Sequence, residues 1–369
     1  MSDKHLKNTF IFIPDISGFS RFVNETAIQH SKHIISELLE LIIEADELGL
    51  TVSEIEGDAV LFYKQEIPKL IKVLDQAEKM FIRFHNHLNR YENNRICRCG
   101  ACETASKLSL KFVVHQGPVE LIKIRDHVKL HGADVILVHR LLKNSIPENE
   151  YILITESFQN ELTLITEKRK MNSWPQAFKT GSDPMDNQPF EYAYVSMKPL
   201  FNKLISPEKL ALPETGKNAL KIEIKINCTI DKLYEIFSNL NLRKQWSNDI
   251  REIFLHDDNL NQAGSMHTCI IDHRPMNIQT IGRDEDDKRI SYAERVNRFG
   301  YFRNITRIYT FIKHQDHTHL KLEITFELIH PLLSLLKPFF KQILKRFSVR
   351  NLNQLKEFCE RSGHNSQKI

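Results

Sequence analysis

From Pro199 to Asn218 the chain reads PLFNKLISPEKLALPETGKN, with three prolines, one glycine and no sustained apolar period. Proline withholds a backbone donor and fixes φ, so neither a helix interior nor a central strand can run through such a stretch. It divides a chain of 369 residues into two parts, and a domain size of about 150 residues also suggests two cores. The expected boundaries are a first domain over 1–198, a linker over 199–218, a second domain over 219–361 and a disordered tail over 362–369.

In the first part, strands and helices interleave. The run FIFIPDISGFS, Phe10 to Ser20, breaks at Pro14 and delivers Asp15 into a glycine-containing bend. A carboxylate at a strand end can serve as a hard oxygen ligand for Mg²⁺ or Mn²⁺, and it can equally be ordinary turn chemistry. Apolar spacing then gives one long or broken helix between Phe19 and Leu48, stopped by Gly49. Leu50 to Lys64 alternates on both sides of Glu56-Gly57-Asp58, which predicts a hairpin with Asp58 at its tip. A helix from Pro68 to about Tyr91 follows. Leu108 to Ile124 is expected to form two strands joined by a turn at Gly117-Pro118. A short strand near Val128, a helix around Val135 to Leu142, and strands at Tyr151–Ser157 and Pro189–Lys198 complete this part.

Beyond Asn218 the order changes. An alternating strand, LKIEIKINCTI, leads into a helix pair ending at Trp246. Alternation recurs at 265–271, 276–283, 289–295, 303–312 and 319–328, and a helix from about Pro331 to Cys359 closes the chain. Its Leu332, Leu336, Phe339, Ile343 and Phe347 form one stripe, expected to face a core. Lys337, Lys341 and Lys345 recur every four residues. They suit either a solvated outer face or a basic amphipathic helix at an anionic membrane surface, and the first fits a stripe that closes a core.

Composition narrows the function classes. The chain is 41% hydrophobic and 27% charged, with a formal net charge of +4, too small and too dispersed for an electrostatic nucleic-acid binder. No apolar run approaches the roughly 20 residues of a transmembrane helix. The start, MSDKHLKNTF, lacks the regions of a signal peptide, so the expected location is the cytoplasm. Three of six cysteines, Cys97, Cys99 and Cys102, fall within ICRCGAC. They provide most of a Zn²⁺ site, with His85, His87 or water as a fourth ligand, or else a redox sensor or plain free thiols.

The motifs of the first part share one order. PDISGFS resembles the metal-binding strand end of class III nucleotidyl cyclases, EIEGDAVLFY their second metal motif, HQGPVELI their H-x-G-x-V hairpin, and GADVILVHRL their G-x-x-V-N-x-A-x-R-L helix. The cysteine cluster and following domain resemble, more narrowly, a bacterial cyclase-like family, domain of unknown function 2652. Residues 219 to 360 resemble the START-like, polyketide-cyclase-like helix-grip superfamily (SRPBCC), in which a sheet and a long helix enclose an apolar pocket. The implied fold is α+β: a ferredoxin-like, cyclase-type α/β sandwich followed by a helix-grip domain with an antiparallel sheet and a long C-terminal helix.

The resemblance implies a two-ion Mg²⁺ or Mn²⁺ site on Asp15 and Asp58 and a transition-state role for Arg140. It also implies nucleotide contacts at Glu54, Gly57 and Lys129, and a head-to-tail homodimer that completes each site. Two positions depart from the family. Ile136 stands where a ribose-orienting asparagine is usual, and Lys129 where an aspartate or cysteine reads the base. His139 is expected to be a partly exposed surface histidine. Two functions fit. One is a divergent cyclase-like signalling protein binding metal and a nucleoside triphosphate, coupled to a domain for a small hydrophobic ligand. The other is an inactive pseudo-cyclase scaffold whose second domain binds or carries that ligand.

Overall fold

The computed structural model describes residues 7–24, 28–94, 96, 104–125, 127–158, 161–163, 178–185, 188–205, 211–214, 216, 219–255 and 263–364. The chain divides into two compact units, Met1–Asn89 with Thr104–Pro207, and Arg90–Glu103 with Glu208–Ile369. Each has its own sheet, and together they are α+β.

The first unit contains β1 (Lys7–Ser17), α1 (Phe19–Asn24), α2 (Ile28–Glu44), β2 (Thr51–Glu56), β3 (Ala59–Lys64) and α3 (Leu70–Asn94), whose last residues pass into the second unit. β4 (Ser109–Ile124), β5 (His127–His131), α4 (Ala133–Leu141), β6 (Tyr151–Thr155), β7 (Lys179–Met185) and β8 (Gln188–Ser196) follow. The strands lie in the order β2-β3-β1-β4-β6-β8-β7, with β5 on β4. Only β4 and β6 run parallel among these pairs. β1 is central, and its residues 9–16 are buried on both faces. Phe10 and Phe12 meet the rings of Phe158, Phe62 and Phe112 on one face. Ile11 and Ile13 join Val135, Val138 and Leu141 of α4 in a separate cluster. That explains an apolar run with no alternation, since a strand covered on both sides needs apolar residues at every position.

One expected turn is absent. β4 continues through Gly117 and Pro118, pairing with β1 up to Lys7↔Val119, and the chain reverses only after Ile124 to form β5. Gly117 serves close approach instead. A Cβ there would lie 2.4 Å from Asp134 Oδ1 and 2.8 Å from His115 Nε2. The strand β7 was also not anticipated, because KTGSDPM carries turn residues; it pairs with β8 only, at the sheet's edge, where proline is tolerated.

The second unit runs β9 (Leu220–Ile226), α5 (Ile230–Ser238), α6 (Leu240–Trp246), β10 (Ile250–Leu255), β11 (Met266–Ile271), β12 (Arg274–Asp286), β13 (Arg289–Phe299), β14 (Phe302–Lys313), β15 (Thr318–Leu328) and α7 (Lys337–His364), with a 3-10 segment at Pro331–Leu336. All seven strands are antiparallel, in the order β10-β11-β12-β13-β14-β15-β9. Tyr234, Phe237, Trp246, Tyr292 and Phe311 fill the core with Leu344, Leu352 and Leu355 of α7. Ile96, which precedes the first cysteine of the cluster, is buried here too. Its carbonyl accepts hydrogen bonds from Tyr234 Oη (2.9 Å) and Arg283 Nη1 (3.3 Å).

The terminal helix buries a different stripe from the one expected. Phe340, Leu344, Ser348, Leu352, Leu355 and Cys359 are buried, whereas Leu332, Leu336, Phe339 and Ile343 are exposed. The reason lies downstream. After Phe347 the expected stripe continues into Arg350, Asn351 and Gln354, while the other register stays apolar to Cys359. The helix begins at Lys337, after the 3-10 segment, and extends to His364, past the expected end near Cys359 and into the expected tail.

Gly117→Ala tests the close approach. The added methyl must displace Asp134 or shift β4, so urea unfolding should show a loss of about 1–3 kcal/mol. A change below about 0.5 kcal/mol, ordinary for innocuous surface substitutions, would mean that the contact relaxes freely.

Candidate functional site: a carboxylate pair and an adjacent cleft

Asp15 is 7% exposed near the end of β1. The registers place it opposite Ala59 of β3 on one side and Lys111 of β4 on the other. Lys111 Nζ lies 3.0 Å from Asp15 Oδ2 and donates to the Leu142 carbonyl at 2.8 Å. Asp58 follows Gly57 in the β2–β3 turn, where Gly57 adopts φ +63°. Its carbonyl accepts a hydrogen bond from Ile16 N at 3.0 Å, pinning the turn to the end of β1. Burial pushes the Asp58 carboxyl above its ordinary pKa, and the charge of Asp15 pushes it further, against a smaller opposing effect of Lys111. Two carboxylates and one ammonium leave a net negative charge in a half-buried place, which is what a hard divalent cation relieves. The donor set therefore fits Mg²⁺ or Mn²⁺.

A cleft of about 460 Å³ lies beside α4, lined among others by Glu54, Glu56, Lys129, Ile136, His139 and Arg140. Neither Asp15 nor Asp58 lines it. Within one chain the structure thus gathers the metal candidates in one place and Glu54, Lys129 and Arg140 in another. Lys129 Nζ is 3.5 Å from Glu54 Oε2. His139 is more than a surface histidine. Its Nδ1 is 3.5 Å from Glu56 Oε2 and its Nε2 3.9 Å from Glu54 Oε1, and ligand atoms of these three residues lie within 4.8 Å of one another. Ile136 is 56% exposed on the same wall. It offers the cleft a methyl-bearing side chain where the resemblance expects an amide.

Behind this wall, His115 is 5% exposed and bridges two elements. Its Nε2 is 2.7 Å from Asp134 Oδ1 on α4, and its Nδ1 2.9 Å from Thr155 Oγ1 at the end of β6. Burial lowers the His115 pKa, against the pull of Asp134. The group locks α4, and with it Arg140, onto the sheet.

The cysteine cluster, Cys97, Cys99 and Cys102, lies outside the described residues. Its suggested fourth ligands have other partners: His85 Nε2 lies 3.0 Å from Glu150, and His87 Nε2 3.2 Å from Glu37. Cys228, Cys269 and Cys359 are free thiols.

The second unit holds a polar group that the sequence reading did not name. Arg243 of α6 and Glu294 of β13 are almost fully buried and 2.6 Å apart. Tyr292 Oη donates to Glu294 at 3.0 Å, and His267 Nε2 lies 3.5 Å from the guanidinium. Burial raises the Glu294 pKa, but Arg243, with His267 and Arg307, outweighs it and holds the carboxyl below its usual range. Nε and Nη2 of Arg243 are buried and have no hydrogen-bond partner among the described residues. A signal existed: Ile290, Tyr292, Glu294 and Val296 share one phase of β13, which puts a carboxylate on the inward face.

Comparison with known proteins places the first unit's centre. Residues 35–151 match the family described as "Protein of unknown function (DUF2652)". The uncharacterized protein Rv2561/Rv2562 of Mycobacterium tuberculosis is 38% identical over 122 residues, which are 33% of this chain and 57% of that protein. The chain thus spans little more than half the length of the curated relative it matches. Among solved structures, the guanylate cyclase domain of RhGC from Catenaria anguillulae in complex with GTP has 18% identity and a TM-score of 0.36, covering 52% of this chain and 98% of that one. A START superfamily protein from Mycobacterium smegmatis has 13% identity and a TM-score of 0.32, covering 39% and 97%. The DUF2652 stretch begins within α2 and ends at the first residue of β6. It includes Glu54, Asp58, Lys129, Arg140 and the cysteine cluster, while Asp15 precedes it.

The raised Asp58 pKa has a sign that can be checked. Between the ordinary carboxylate range and the raised value, the native state binds more protons than the unfolded one, so stability falls as pH rises through that window. Asp58→Asn should therefore raise the melting temperature of metal-free protein at neutral pH, on the order of 1–2 °C. It should also abolish the melting-temperature gain that Mg²⁺ or Mn²⁺ gives the unaltered chain. An unchanged metal response would remove Asp58 from the site. Arg243→Met should cost about 3–5 kcal/mol by leaving Glu294 buried without its partner, and Arg243→Met with Glu294→Met much less; equal losses would dissolve the pair as a unit.

Proposed function

We propose that the protein is a divergent cyclase-like signalling protein that binds Mg²⁺ or Mn²⁺ and a nucleoside triphosphate, coupled to a helix-grip unit that takes a small hydrophobic ligand. The observation that carries this reading is that Asp15 and Asp58 come together at the end of β1, where burial first and the charge of Asp15 second raise the Asp58 proton affinity. Such a pair gains most from a cation. One divalent ion turns the net charge of −1 left by the two carboxylates and Lys111 into +1, and a second becomes favourable once a triphosphate adds its own negative charge.

The residues of this chain would divide the work. Asp15 and Asp58 hold the metal, whose chemistry is to polarise phosphate oxygens and a ribose hydroxyl. Gly57, with no side chain at φ +63°, lets the β2–β3 turn approach a ligand. Glu54 and Lys129, already paired, meet the base, and Arg140 faces the phosphates as a fixed positive charge. Because the carboxylate pair and the Arg140 cleft are separate surfaces in one chain, a site using both requires two chains, and a head-to-tail homodimer supplies them. In the second unit, the buried Arg243 donors suit a hydrophobic molecule bearing a carbonyl, hydroxyl or carboxylate.

A second reading, a scaffold that binds nucleotide without turning it over, is favoured by Ile136. Nothing at that position can accept or donate a hydrogen bond to a ribose, so orientation of the attacking hydroxyl rests on other groups. One experiment separates the two. The full chain is incubated with Mn²⁺ and each of the four nucleoside triphosphates, and binding is followed by calorimetry in parallel. Cyclic product that vanishes in Asp58→Ala establishes the enzyme. Metal-dependent binding without product, also lost in Asp58→Ala, establishes the scaffold. Neither binding nor product overturns both.

A further inference from the structure

The apolar residues that α7 leaves outside the core cluster at its start. Leu332 is 74% exposed, Leu335 86%, Leu336 52%, Phe339 61% and Ile343 42%. Single exposed apolar residues are ordinary on a protein surface, but a contiguous group of five is a mark of an interaction site. These side chains are not spare core. The inward face of α7 is already taken by Phe340, Leu344, Leu352 and Leu355. The patch is held in place: Phe340 packs against Tyr301 and Phe302, with ring centroids 5.6 and 5.8 Å away, and Tyr301 itself is 63% exposed.

The charged residues carried on the same segment have one sign. From Leu328 to Lys356 the sequence contains no Asp or Glu, while Lys337, Lys341, Lys345 and Arg346 fall within the first turns of α7. Arg350 is engaged by Asp249 at 2.7 Å, and the nearest preceding acid, Glu327, is engaged by Arg303 at 3.0 Å. An apolar group flanked by excess positive charge is complementary to an anionic bilayer surface, where acyl chains receive the first and phosphates the second. A second copy of the same surface would bring like charges together. The apolar run is also far too short to cross, and no helix among the described residues is long and apolar enough to span a membrane.

We propose that the segment from Pro331 to Arg346 docks the protein peripherally on an anionic lipid bilayer. Leu332, Leu335, Leu336, Phe339 and Ile343 enter the boundary between headgroups and acyl chains, and Lys337, Lys341, Lys345 and Arg346 meet the lipid phosphates. This attachment is independent of nucleotide or ligand binding, and it would bring the second unit next to a source of hydrophobic molecules.

The test is co-sedimentation of the full chain with vesicles of phosphatidylcholine alone and of phosphatidylcholine with phosphatidylglycerol. Binding is expected only with the anionic vesicles, weakening as salt is raised. Lys337→Gln with Lys345→Gln should reduce it about fivefold per residue, the equivalent of about 1 kcal/mol each. Leu335→Asp with Phe339→Asp should reduce it at least tenfold, and circular dichroism should be unchanged because both side chains are exposed. In Phe339→Trp, emission should shift to the blue when anionic vesicles are added. Equal binding to neutral and anionic vesicles, no binding to either, or no emission shift overturns the proposal. So does light scattering showing a stable dimer that Leu335→Asp with Phe339→Asp dissolves.

Discussion

The Asp15 carboxylate sits in an interior strand of a sheet, nearly out of solvent, with one ammonium for company. An isolated carboxylate in such a place would be neutralised or expelled, because its desolvation costs several kcal/mol even after relaxation. Lys111 answers that cost directly across β4, at a distance of 3.0 Å. Because Lys111 also donates to the Leu142 carbonyl just after α4, the same ammonium ties the carboxylate site to the end of the helix that carries Arg140. The position of Asp58 follows from the same strand. The bond from Ile16 N to the Asp58 carbonyl places the second carboxylate where it feels the first. The site is thus a property of β1 and its two neighbours, and it holds a like-charge strain that folding alone does not favour. Strain of this kind is tolerated at places where a ligand relieves it.

His115, Asp134 and Gly117 make a second fixed joint. The His115 imidazole between Asp134 and Thr155 needs room, and the missing side chain at Gly117 provides it. This arrangement sets where α4 begins, and the spacing along the helix then sets where Ile136, His139 and Arg140 emerge. His139 lands beside Glu54 and Glu56, and Lys129 beside Glu54, so the cleft wall is a group of polar contacts rather than a row of free donors. Any ligand entering there would have to rearrange the Lys129–Glu54 contact.

Much of this was legible in the sequence. The β2–β3 hairpin carrying Asp58, the α4 segment and six of the seven strands after Asn218 follow from periodicity, and Asp15 from a run with no alternation; the edge strand β10, Ile250–Leu255, does not stand out in the pattern. What was not legible depends on partners distant in sequence. Gly117-Pro118 carries turn residues, and only the approach of Asp134 from α4 shows why the glycine is there. Lys111 looks like any lysine in a strand until the register sets it opposite Asp15. His139 seems a surface residue until β2 brings two glutamates to it. Glu294 could have been found, because it shares its phase with Ile290, Tyr292 and Val296, whereas Arg243 in LRKQW had no distinguishing pattern.

The terminal helix shows how a periodic signal can be read correctly and assigned to the wrong face. Two apolar stripes run along the beginning of α7, and a helix buries only one against a sheet. The stripe that continues for the full length gains more buried area, roughly 25 cal/mol for each Å², and it therefore wins the contact. Most of the shorter stripe, from Leu332 to Ile343, is then left outside by the same competition that orders the core, while Phe347 packs partly against it. Its neighbours in sequence are basic, so apolar side chains and positive charge lie on one short segment. The core of the second unit and its exposed apolar edge thus arise from one choice of helix register.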